Sequence, residues 1–121
     1  MIQHEMHNDI GVLIIKPSGP LASEDFAAIA RDADGYIELH GALNGLVICA
    51  KKFPGYKDAQ GLWSHLRFVR GHHRNIKKVA FVSDSPFFKV ASRLVGRCVR
   101  PNVKHFRYKH EDSAMNWIGM S

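Results

Sequence analysis

Residues 46–83, LVICAKKFPGYKDAQGLWSHLRFVRGHHRNIKKVAFVS, decide the fold. Leu46–Ala50 is a continuous apolar run, as expected of a strand covered on both faces. Lys51–Lys57 (KKFPGYK) holds a proline and a glycine and reads as a loop. From Asp58 to about His72 the apolar residues recur at helical spacing, and Val79–Ser83 is a second short apolar strand after the basic turn Lys77-Lys78. Two apolar strands joined through a helix need a crossover, and a crossover makes them parallel neighbours in one sheet.

Working outward, Met1–His7 and Ile10–Lys16 are extended segments around Asn8-Asp9, the pattern of a hairpin. Pro17–Leu21 breaks the chain. Ser23 is the predicted N-cap of a first helix, with Glu24 and Asp25 suited to the positive end of its dipole. Phe26, Ile29, Ala30, Ala33 and Ile37 fall on one face of that helix, which is therefore core, and Gly41 stops it. Downstream, Ser85 is the predicted cap and Pro86 the first residue of a helix running to about Val99. Pro101 closes it, Val103–Tyr108 alternates as a strand, and Glu111–Met120 reads as a last helix carrying Trp117. The order ββαβαβαβα predicts an α/β fold with a mixed, mostly parallel sheet and helices packed on it. No repeat or linker divides residues 1–121, which read as a single domain.

At 121 residues, 45% hydrophobic and 23% charged, the chain has enough apolar material for a core of its own and lacks the composition of a disordered tail. Cys49 and Cys98 sit in apolar segments without metal-ligand spacing and read as buried free thiols of a reducing compartment. The N-terminus lacks the basic-then-apolar layout of a signal peptide. The longest apolar run, Val12–Ile15, falls far short of the roughly 20 residues that span a bilayer. A soluble, cytoplasmic protein is expected, with peripheral membrane contact left open. The net charge of +6 favours acidic partners: nucleic acid, anionic headgroups or an acidic protein. A basic surface of no functional consequence fits that charge equally well.

Catalytic signatures are absent from the sequence. It contains no GxSxG, P-loop or GxGxxG. His65, His72 and His73 have no i+4 histidine or carboxylate partner of a metal motif and read as solvated or capping residues. Ser83-Asp84-Ser85 joins a strand to a helix and reads as a cap. No enzyme activity, metal or cofactor is predicted. Arg67, Arg70, His72, His73, Arg74, Lys77 and Lys78 concentrate charge at the end of the second helix, but without a recognised motif or stacking platform, so no specific nucleic-acid partner follows.

Binding is the better-supported expectation. On the helix starting at Pro86, Phe87, Phe88, Val90, Ala91, Leu94, Val95 and Cys98 cover about half the circumference, at roughly 100° per residue. Lys89, Arg93, Arg97 and Arg100 gather opposite. Such a helix either covers a sheet or lies at a membrane interface. On the second helix Leu62, Leu66 and Val69 form one stripe flanked by Trp63, while Phe68 lies off it and must bury against another element, a partner or a ligand. If the two helices adjoin, Trp63, Phe68, Phe87 and Phe88 would line an apolar groove. Lys51, Lys52, Phe53 and Tyr56 would stand at its mouth, where open α/β sheets usually bind ligands. The candidate contact residues are therefore Lys51, Lys52, Phe53, Tyr56, Trp63, Phe68, Phe87, Phe88, Lys89, Arg93 and Arg97.

The stretch GLWSHLRFVRGHHRNIKKVAFVSDSPFFKVASRLVG (61–96) and the short last helix DSAMNWI (112–118) carry a resemblance. With Trp63, Leu66 and Phe68, the His72-His73 pair and the VAFVSD strand end, the chain resembles the SpoIIAA-like branch of the STAS-type fold. That resemblance implies a noncatalytic module, possible homodimerisation and a likeness in fold to CRAL-TRIO lipid-binding domains, hence an apolar or amphipathic ligand or an anionic membrane surface. Its alternative implication is a protein-interaction module of the anti-sigma-antagonist type. Members of that type carry a phosphorylatable Ser or Thr after the central strand. Here Ala50–Asp58 contains neither, so that switch is missing.

Overall fold

A computed structural model describes residues 2–119, apart from the side chains of Phe87 and Cys98. Its elements are β1 (Ile2–His7), β2 (Val12–Pro17), α1 (Ser23–His40), β3 (Gly45–Cys49), α2 (Ala59–His72), β4 (Lys78–Val82), α3 (Pro86–Cys98), β5 (Asn102–Phe106) and α4 (Glu111–Gly119). The predicted order is the observed one. Two ends differ. Ser23 is the first residue of α1 rather than its cap: Ala22 holds the cap position, and the Asp25 carboxylate accepts its N–H at 2.9 Å. β5 ends at Phe106 because Tyr108 opens a short 3-10 turn and its N–H donates to Asp84. Asp58 caps α2, its carboxylate accepting the Gly61 N–H at 3.0 Å.

The strands lie in the order β1-β2-β3-β4-β5, with β1 antiparallel to β2 and every later pair parallel. Each right-handed crossover therefore steps in the same direction, which places α1, α2 and α3 on one face of the sheet. The first face carries Leu13, Ile15, Leu46 and Val79 against Phe26, Ile29 and Ala33 of α1 and Phe68 of α2. The alternate residues Val12, Ile14, Val47, Ala80 and Val82 meet Ala114 and Ile118 of α4 on the other. Val12–Ile15 is buried throughout, as its unbroken apolarity predicts. A sheet numbered straight across has no point where strand order reverses. The strand-order argument for ligand binding at the Lys51–Lys57 loop therefore finds no support in this topology.

Candidate binding face

The inner face of α2 is not its most apolar one. Gly61, His65, Phe68 and His72 are spaced to share one side of the helix. Gly61 lies so close to the Leu21 carbonyl that an added Cβ would stand 2.3 Å from that oxygen. His65 stacks on Phe26 of α1 at 5.0 Å between centroids, and Phe68 tilts against the same ring at 6.5 Å. His72 bridges the Phe68 carbonyl and the Asp34 carboxylate at 2.8 Å each. Phe68 buries against another element of the chain, one of the three fates its position allowed. His65 is a correction: it is enclosed between Phe26 and Tyr56 rather than solvated. Burial holds the pKa of His65 below its ordinary value, favouring the neutral ring.

With that side turned inward, the leucine stripe of α2 is left outside. Leu62, Trp63 and Leu66 are 42%, 59% and 51% exposed. α3 repeats the arrangement. Phe88 and Ser92 are buried, Val95 and Val99 half-buried, and together they define its inner side. Phe88 packs on Phe81 of β4 at 5.7 Å. Val90 and Leu94 remain 56% and 58% exposed. The handedness of the crossovers turns the Leu62/Leu66/Val69 flank of α2 towards α3 and the Ala91/Leu94 flank of α3 towards α2. An open depression lined by Pro86, Val90, Ala91, Leu94 and Val95 runs along that flank of α3. Lys89, Arg93 and Arg97 are exposed on the outer and opposite sides of α3. Residues 59–110 hold most of the Lys and Arg of the chain and a single carboxylate, Asp84.

Beneath α2 a row of rings joins the helices. Tyr56 pairs with Leu21 in an isolated bridge and hydrogen-bonds through its hydroxyl to His65 Nδ1 at 2.6 Å. Phe53 meets Tyr56 edge-on at 5.3 Å and Phe88 at 5.9 Å. Phe53, Tyr56 and Phe88 thus come together as packing beneath α2. The expected groove of Trp63, Phe68, Phe87 and Phe88 is corrected on three counts. Phe68 faces α1, Phe88 faces the sheet and Trp63 points outward, because the buried sides of both helices are rotated from their apolar arcs. The Phe87 side chain lies outside those described. Lys51 and Lys52 are exposed, and Lys51 leans over the Tyr108 ring at 5.7 Å, near the start of α4. The exposed large apolar residues of the two helices are instead Leu62, Trp63 and Leu66 on α2 and Val90 and Leu94 on α3. The sequence signal for this was the Gly61/His65/Phe68/His72 register, which hydrophobicity alone passes over.

The strand-end polar groups are occupied structurally. Ser83 is 1% exposed, its hydroxyl donates to the Lys51 carbonyl, and its oxygen accepts the Ser85 N–H. His105 hydrogen-bonds to the Ser83 carbonyl, not to its hydroxyl. Burial pushes the Cys49 thiol up to about 11, which keeps it protonated and unreactive. Among the described residues no three His, Cys, Asp or Glu cluster as metal ligands, and no helix is long and apolar enough to cross a membrane.

Residues 12–119 match the SpoIIAA-like family. The chain belongs to that family. Its fold is similar to that of an uncharacterized protein of the DUF3478 family from Shewanella loihica PV-4, described as having a SpoIIAA-like fold. The TM-score is 0.71 at 20% identity, over 98% of this chain and 92% of that one. No curated protein matches.

Proposed function

We propose that this SpoIIAA-like chain is a noncatalytic binding module that docks its α2–α3 face on anionic amphipathic surfaces, chiefly a membrane leaflet. The observation that carries the reading is the rotation of α2 and α3, which leaves Leu62, Trp63, Leu66, Val90 and Leu94 exposed on helices without a carboxylate. Apolar side chains enter the acyl boundary while Lys89, Arg93 and Arg97 meet headgroup charge. At about 1 kcal/mol per cation near an anionic leaflet, those three contribute roughly 3 kcal/mol, on the order of a hundredfold in partitioning. The depression along α3 is open to solvent, which favours a surface contact over an enclosed ligand. Family membership and the occupied Ser83 and His105 support the noncatalytic part.

Liposome co-sedimentation tests it. The wild type is expected to pellet with anionic vesicles and not with neutral ones. Val90→Ser/Leu94→Ser and Arg93→Glu/Arg97→Glu are each expected to lose most of that binding with unchanged circular dichroism. Equal binding by both variants would contradict the proposal. No binding to either vesicle would shift the reading to a protein partner at the same face.

A further inference from the structure

The row Phe26–His65–Tyr56–Phe53–Phe88 crosses from α1 to α3 under α2, and the Tyr56–His65 hydrogen bond is a polar link within it. α2 leans on α1 through the inner face that His65 helps to form. The loop below it is tied to the strand β2–α1 connection by two backbone bonds, Leu21 N–H to the Gly55 carbonyl and Lys57 N–H to the Leu21 carbonyl. Gly55 sits at φ +82, a conformation in which glycine lets the loop turn between those two bonds. We propose that the Tyr56–His65 pair is an acid-released latch, holding α2 and the 51–58 loop closed and loosening the proposed binding face when His65 gains a proton.

With Nδ1 unprotonated, a neutral His65 accepts the Tyr56 O–H hydrogen bond there and stacks on the Phe26 ring. A cation there would be largely enclosed, and among the described residues no carboxylate forms an ion pair with it. The group facing His65 from α1 is Phe26 and from the loop Tyr56, and burial is the single cause of its lowered pKa. The carboxylates at the starts of α1 and α2, Asp25 and Asp58, are held by the Ala22 and Gly61 amides. The sign follows. His65 takes up a proton more readily when released than when latched, so the closed form is fully favoured above its ordinary value of 6.5. That preference is lost as pH falls through the lower pKa of the closed form. An anionic leaflet concentrates protons at its surface, so the release would act where the face is used.

Hydrogen exchange without vesicles tests the latch separately from membrane docking, on which its use rests. Between about pH 7.5 and pH 5, corrected for chemical exchange, α2 amides are expected to lose about tenfold in protection while Val47 and Val82 keep theirs. His65→Phe, which keeps a stacked ring, should abolish the acid response. Tyr56→Phe should raise α2 exchange already at about pH 7.5. No acid response, an equal loss in α2 and sheet, or a response persisting in His65→Phe would overturn the latch. If His65→Phe does not fold, unchanged α2 exchange in Tyr56→Phe overturns it. Vesicle binding that fails while the latch responds would count against the docking reading alone.

Discussion

Leu66 and Phe68 stand two positions apart on α2 and meet opposite surroundings. Leu66 is 51% exposed, whereas Phe68 is 9% exposed and touches Phe26 and His72. Truncating them separates packing from surface. Phe68→Ala is expected to cost about 3 kcal/mol through lost burial and the cavity left behind. Leu66→Ala should stay within about 0.5 kcal/mol, as surface changes do. Urea denaturation midpoints decide it, and a reversed order would mean that α2 is rotated the other way. Leu66 is free to serve a binding face only if its removal spares stability.

At the scale of the element, α2 shows what its seat requires. It approaches the Leu21 carbonyl through Gly61, where a Cβ would meet backbone at 2.3 Å, while nothing stands within 4 Å of a Cβ at Gly71. Gly61→Ala should therefore destabilise by about 1–3 kcal/mol, since backbone must move. Gly71→Ala in the same helix should stabilise by about 0.5–1 kcal/mol. Thermal or urea unfolding of the two variants reads both. Much of this architecture was legible beforehand. The apolar runs Val12–Ile15 and Leu46–Ala50 announce covered strands, and Phe26, Ile29 and Ala33 announce the buried side of α1. The orientation of α2 was not legible, because its inner side is built of glycine, histidine and phenylalanine that satisfy one another through stacking and hydrogen bonds. Hydrophobic periodicity picks out the leucines and so points to the wrong side. On α3 the same difficulty is smaller: Phe88 lies inside the apolar arc, and only the Val90/Leu94 edge spills outward.

Over the whole molecule, charge and apolar exposure coincide. α1 carries Glu24, Asp25, Asp32, Asp34 and Glu38, whereas α2 and α3 carry cations beside exposed leucines and Trp63. Such a distribution orients the protein towards an anionic surface before any contact forms, and salt should weaken the approach. Trp63 reports on the central claim most directly, because it points outward from α2 while Trp117 packs against Phe106 and Lys78 near α4. Fluorescence should be recorded during titration with anionic vesicles containing brominated acyl chains, with Trp63→Phe as the blank for Trp117. Docking through the α2–α3 face requires Trp63 emission to shift to the blue and be quenched by anionic vesicles, and to stay unchanged with neutral ones. Protein that pellets with anionic vesicles while Trp63 remains unquenched would contradict that orientation.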